Sequence, residues 1–259
     1  MAYIITVCNQ KGGVGKTSTA VNVVAALALE LKKRVLFIDM DPQANASSTL
    51  NGRDRDQTVY HTLAGGILPE DVVHTTQYET IDLLPASAEL AGAAVEMVNI
   101  SNREFRLYDI IMRMQGDYDF IFIDAPPTLD LLTLNSIVAA HYVIIPVQCE
   151  YYAMEGLGQL LATIGMVKDN LGKEVQVLGA VCTMYDSRNR LSGTVVNEVR
   201  TKFPGYVFEA VIPRNVALAE APGYGKTIFE FNPSSKGAVA YNALMYEIVN
   251  RLKQQTDSE

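Results

Sequence analysis

Residues 10–17 read Gln-Lys-Gly-Gly-Val-Gly-Lys-Thr. This is the phosphate-loop pattern G-x-x-x-x-G-K-[ST] with Gln10 in place of the first glycine. Glycines let such a backbone bend until its N–H groups point inward at phosphate oxygens, and let it come close without a Cβ in the way. A helix that follows adds the partial positive charge of its N-terminus. Lys16 is then expected on the β- and γ-phosphates, and the Thr17 hydroxyl on Mg²⁺. The competing reading is a plain glycine turn. Three glycines, a lysine and a threonine at this spacing leave it little room.

Lys11 is a second cation in the loop, more than one bound triphosphate requires. Two readings stay open: a solvated lysine, or one that projects toward a nucleotide held by a partner subunit and stabilises charge on the transferring phosphoryl group. Phosphoryl transfer to water also needs a metal and a group that orients the attacking water. Asp39-Met40-Asp41-Pro42-Gln43 follows an apolar run, and Asp124 follows Phe-Ile-Phe-Ile. Asp39 and Asp124 are expected to act on the waters of Mg²⁺, and Asp41 to orient the nucleophile. For a single aspartate after a strand, a turn or a helix cap is an equal alternative; two behind apolar strands in a chain with this loop weaken it.

These residues need elements to hold them. Tyr3–Cys8 reads as a strand, followed by the loop and a helix from about Thr17 to Leu31. Arg34–Ile38, Tyr118–Ile123, Tyr142–Val147 and Val175–Val181 read as further strands, with helices near 129–139 and 152–170, and Tyr206–Ile212 as one more strand. A last helix is expected from about Pro233 to Lys253, a frayed tail over 254–259, and an irregular excursion with short helices over 51–80. Strands that are apolar on nearly every residue are covered on both faces, which makes the fold class α/β: a doubly wound, mostly parallel sheet flanked by helices, in one domain over 1–259. Ligands of such sheets sit beyond the carboxyl ends of the strands. The loop, Asp39 and Asp124 all fall there.

The chain of 259 residues can bury roughly 70–75% of the surface its unfolded form exposes, so its core needs no disulfide or structural metal. Cys8, Cys149 and Cys182 are isolated in or beside apolar runs, form no Cys-x-x-Cys, and read as small buried hydrophobes of a reducing, cytosolic compartment. A net charge of −8 argues against a strongly basic nucleic-acid binder and leaves any DNA contact to a local patch. No run of 18 apolar residues occurs, so no membrane span is expected.

Lys11–Thr17 resembles the deviant Walker A motif of the ParA/MinD ATPases, with Lys11 as its signature lysine. The resemblance continues through Ile38–Asn45, Ile123–Pro127, Pro146–Gly156, Ile212–Asn215 and Glu220–Pro222, essentially the whole chain, and its later blocks look like short Soj-like members of the ParA branch. It implies a P-loop ATPase with ATP and Mg²⁺ as cofactors, ATP held by Lys11 to Ser18 (Gly12, Gly13, Val14, Gly15, Lys16 and Thr17 between them) with Pro213 and Asn215 near the adenine. It implies an ATP-dependent sandwich homodimer in which Lys11 crosses to the partner's nucleotide, binding of non-specific DNA, and reset by a ParB-like or cargo-adaptor activator. Asp41 would be the residue whose loss traps ATP. Partition of plasmids or chromosomes, or spacing of a protein cargo over the nucleoid, would follow, in a cytoplasmic, nucleoid-associated protein. Arg188 matches a family DNA-contact position, and Lys202, Lys226 and Lys236 are further candidates, each equally open to a solvated surface role. Ala217 stands where such members often carry a DNA-contacting arginine. A MinD-like membrane-associated ATPase is the alternative, but it wants a basic amphipathic C-terminal helix, and this chain ends polar and acidic. An iron-protein type would need two cysteines per subunit at the dimer interface.

Overall fold

Tyr3–Val7 (β1), Val35–Asp39 (β2), His74–Thr75 (β3), Ile81–Leu84 (β4), Phe120–Asp124 (β5), Tyr142–Gln148 (β6) and Gln176–Thr183 (β7) pair into one sheet. Their order is β3-β4-β2-β5-β1-β6-β7, parallel throughout except for β3 at the edge. The computed structural model describes residues 2–52, 55–151 and 153–256. The helices are α1 (Lys16–Leu31), α2 (Asn45–Thr49), α3 (Val59–Leu63), α4 (Pro69–Val72), α5 (Leu90–Glu96), α6 (Arg106–Met114), α7 (Leu131–Ala139), α8 (Leu157–Leu171), α9 (Arg190–Lys202), α10 (Val216–Glu220), α11 (Ile228–Phe231) and α12 (Lys236–Thr256).

Successive strand residues point to opposite faces, and the core divides accordingly. Ile5, Val35, Phe37, Phe120 and Phe122 pack with α1 and α12. Ile4, Leu36, Ile38, Ile121 and Ile123 pack on the other face with α3, α6 and α7. Helix α1 is rich in Ala, Val and Leu and buried over most of its length because it lies between the sheet and α12. It stops where Lys32 turns left-handed (φ 52°) and returns its N–H to Leu27 O.

The chain leaves β1 toward β2 on one side and, after β5, crosses to β6 on the other. β1 therefore lies at the reversal of strand order, and the loop that follows it opens into the crevice where ligands of such sheets bind.

Four expectations change. Tyr206–Ile212 is not a strand: it runs beside β7 with an isolated bridge at Val207. The Glu247 carboxylate takes the N–H groups of Glu209 and Ala210, at 2.7 and 3.0 Å, and so interrupts the ladder. The excursion expected over 51–80 carries β3 at its end, and just beyond it β4 extends the sheet beside β2. Its run Ile-Asp-Leu-Leu is too short to stand out in sequence. Helix α8 begins at Leu157 rather than 152, after left-handed Gly156. The frayed tail expected over 254–259 is replaced by helix through Thr256; residues 257–259 lie outside the described residues.

Candidate nucleotide site

Residues 8–15 join the end of β1 to α1. Gly13 and Gly15 have φ of 74° and 88°, which side chains with a Cβ adopt at a cost. Apart from the adjoining residues of the loop, no described residue lies within 4 Å of where a Cβ on Gly12 or Gly13 would sit, so this rim is open to a ligand. No side chain caps α1, and its first N–H groups face the same space.

Two anchors absent from the expected set fix the loop. The Asn9 amide donates to Pro146 O at 2.7 Å and its Oδ1 accepts from Lys11 N at 3.0 Å. The Thr183 hydroxyl donates to the buried Val14 carbonyl at 2.8 Å. The loop is thus tied to β6 and β7 as well as to its own strand. Asn9 carries a readable turn signal; nothing local in the sequence marks Thr183. Gln10, the departure from the loop pattern, rests against Gly156: a Cβ there would lie 3.3 Å from Gln10 Oε1.

Lys16 is only 7% exposed. Its ammonium donates to Lys11 O at 3.2 Å across the loop. Burial lowers its pKa, and the charges of Asp124 and Asp41 work the other way. Lys11 stands half-exposed at the rim, its ammonium 3.9 Å from Glu150 Oε2, and Glu150 is itself held by Gln148 at 2.7 Å.

The loop, Asp39 and Asp124 converge as expected, because Asp39 and Asp124 are register partners on adjacent strands and Val7 pairs with Asp124. The Asp41 carboxylate is near enough to Lys16 and Asp124 for their charges to interact. Their surroundings differ. Asp39 accepts from Asp41 N on Oδ1 and from Ser47 N and Oγ on Oδ2. Burial pushes its carboxyl up to about 6 against the pull of those bonds. Among the described residues neither Asp124 oxygen has a partner in hydrogen-bond geometry, although the Thr17 hydroxyl lies near enough to favour its charge. Burial, then the charge of Asp39, holds its carboxyl well above the usual range, while Thr17 and Lys16 pull the other way. Asp41 is buried, and its Oδ1 accepts from Gln43 N at 3.0 Å. Thr17 is half-buried at the first turn of α1, with Ser18 beside it.

Pro213 and Asn215 line a cavity of about 280 Å³ together with Gly15, Ser18 and Tyr241, so the two residues expected near an adenine do border the loop. Asn215 also caps α10 through Ala217 N at 2.8 Å. A larger cavity of about 630 Å³ lies between α7 and α8 and holds none of the expected site residues. Of the four basic candidates, two are already paired. Arg188 makes a two-pronged contact with Asp186, and Lys202 pairs with Glu198 at 2.7 Å. Lys226 and Lys236 are exposed, Lys226 on a small cavity it shares with Thr17 and Asn45.

A family model described as an AAA domain matches residues 2–177. The chain is 47% identical to the chromosome partitioning protein ParA of Myxococcus xanthus, over 96% of this chain and 88% of that protein. It is 46% identical to the sporulation initiation inhibitor protein Soj of Bacillus subtilis, over 96% and 98%. The chain belongs to the ParA/Soj family of partitioning ATPases. Its fold matches a solved structure titled cobyrinic acid a,c-diamide synthase from Mycobacterium smegmatis with bound ADP and magnesium. The TM-score is 0.86 at 36% identity, covering 98% of this chain and 96% of that one. All three cysteines are free and buried, as expected of small core residues. Among the described residues no helix is long and apolar enough to cross a membrane.

Proposed function

We propose that this ParA/Soj-family chain hydrolyses ATP to ADP and phosphate with Mg²⁺, and that ATP closes two copies face to face into a dimer that holds DNA without reading its sequence. A ParB-like or cargo-adaptor protein then stimulates hydrolysis and resets the switch, in the cytoplasm over the nucleoid. The observation that carries the reading is the pairing of an open glycine rim with a buried, partnerless Asp124 carboxylate behind it.

The residues fit the two cofactors. The loop backbone and Lys16 would hold the phosphates, Pro213 and Asn215 would border the base, and Thr17 and Asp124 would hold Mg²⁺ and its waters. Asp124's unsatisfied acceptors suit a metal's water shell. Magnesium, when bound, neutralises charge that develops on the phosphates. Asp39 keeps one free lone pair on Oδ1 and contributes negative charge beside Asp124. Asp41 orients the attacking water. Lys11, 3.9 Å from Glu150 at the rim, would leave for a phosphate of a facing copy, where a cation stabilises the transferring group. A surface pair of this kind is worth little, so Glu150 does not hold Lys11 back strongly.

DNA contact would come from Arg188, Lys202, Lys226 and Lys236, each adding one phosphate contact and its share of salt dependence. With Ala217 in place of an arginine, binding is weaker rather than absent. The test is binding to a random-sequence duplex with ATP, with ADP and without nucleotide, at two salt concentrations, for wild type and Asp41→Ala. Salt-sensitive binding with ATP alone, made persistent in Asp41→Ala, is the expected result. ATP-dependent dimers that bind no DNA in any state would remove the DNA part of the proposal.

A further inference from the structure

One side chain closes the segment that carries Asp41 at both ends. Asp39 accepts from Asp41 N at 3.1 Å on one oxygen, and from Ser47 N and Oγ at 2.8 and 2.7 Å on the other. The Ser47 hydroxyl, having donated to Asp39, accepts from Ala86 N at 2.9 Å, just beyond β4. A hydroxyl can do both, since it carries one donor and two lone pairs. Residues 40–46 are therefore pinned between the ends of β2 and β4. Inside the segment the Asp41 carboxylate takes Gln43 N, and its carbonyl takes Ala44 N at 2.9 Å. Its orientation is set within the loop, and the loop's placement is set from outside by Ser47.

We propose that Ser47 is a positioning residue for ATP hydrolysis: through Asp39 it seats the Asp41 loop against the phosphate site. The proposal rests on the reading of Asp41 as the group that orients water. Ser47 is fully buried and cannot itself meet a ligand. Helix α2, which contains it, spans only Asn45–Thr49, too short to hold its place by its own backbone bonds. A nucleophile-orienting group that drifts by an ångström loses much of its effect, so the anchor governs the rate without governing affinity.

The test is single-turnover hydrolysis of Mg·ATP and equilibrium ATP binding in wild type, Ser47→Ala, Asp41→Ala and the double variant. Ser136→Ala serves as a control: it removes another fully buried hydroxyl, one that donates to Leu132 O at 2.8 Å within α7 and makes no hydrogen bond to the loop. Ser47→Ala is expected to slow hydrolysis roughly tenfold with ATP affinity held within about twofold. It should add no further loss in the Asp41→Ala background, and Ser136→Ala should turn over normally. Ser47→Cys, which fills the same space with a weak donor, gives the same reading if the alanine variant does not fold. A wild-type rate in Ser47→Ala or Ser47→Cys, beside an impaired Asp41→Ala, overturns the Ser47 proposal alone. So does a loss matched by Ser136→Ala, or one that multiplies with that of Asp41→Ala. A wild-type rate in Asp41→Ala overturns the underlying reading and with it the route through Asp41.

Discussion

Asp39 and Asp124 end neighbouring strands, stand opposite each other in register, and are both fully buried. At the end of β2 the carboxylate collects three donors from its own chain; at the end of β5 it collects none. Burial disfavours the charge on both. A buried carboxylate with three donors on its oxygens is held as part of the architecture. One left without partners costs stability until a ligand completes it. The same residue type, at the same depth and one strand apart, thus serves two purposes, and the donors around it decide which.

The contrast is broken most directly by Asp124→Asn. Hydrolysis of ATP, followed by phosphate release, is expected to fall roughly 100-fold or more. The nucleotide-free protein should meanwhile become more stable, its Tm rising by about 2–4 °C for each kcal/mol of relieved charge in a chain of this size. A Tm that falls instead would make Asp124 a structural residue like its neighbour. Asp39→Asn should do the reverse in stability. An amide NH₂ would face the N–H of Asp41 or the donors of Ser47, and urea denaturation should show a loss of about 1–3 kcal/mol.

The pH dependence sharpens the same contrast. With its carboxyl raised from 3.8 to about 6, native Asp39 keeps its proton where the unfolded chain has lost it. The unfolded state then binds fewer protons, so stability falls as pH rises through that window. Thermal unfolding of nucleotide-free protein between about pH 4 and 6 should show this decline, on the order of 2–3 kcal/mol for Asp39, and Asp39→Asn should remove that share while the decline from the raised Asp124 carboxyl persists. Exposed Asp186 runs the other way. Arg188 holds its carboxyl down at about 2, so its stabilisation is present above the usual carboxylate range and is lost as pH falls toward 2. The smallest effects belong to the surface. Lys202→Ala should leave stability within about 0.5 kcal/mol, and Arg188→Ala should leave the melting temperature close to that of the wild type at neutral pH. If either touches DNA phosphate, it should reduce the salt slope of binding by about 1.

Position after an apolar strand was enough to mark both aspartates in the sequence, and loop spacing was enough to mark residues 10–17. The division between Asp39 and Asp124 was not readable, because it depends on Ser47 and, behind it, on Ala86 at the end of a strand too short to be noticed. Thr183 was hidden for a similar reason: its bond to Val14 spans 169 residues and leaves no periodic trace. The strand expected at Tyr206–Ile212 has the right composition but loses its ladder to one carboxylate from α12. Sheet, layers and loop follow from local patterns. The anchors that tune the loop are long-range hydrogen bonds, which no local pattern encodes.

The place of β1 in the sheet has a consequence for how the chain is born. Tyr3–Val7 leaves the ribosome more than a hundred residues ahead of its neighbours β5 and β6, and Tyr3 meets Phe120. At a synthesis rate of roughly 5–20 residues per second, the first strand waits several seconds, unpaired and apolar, before either partner exists. The Thr183 latch on its loop comes later still. A nascent chain of this kind therefore cannot assemble its phosphate grip until most of the protein has emerged, and its first strand is the segment a chaperone would have most reason to shield.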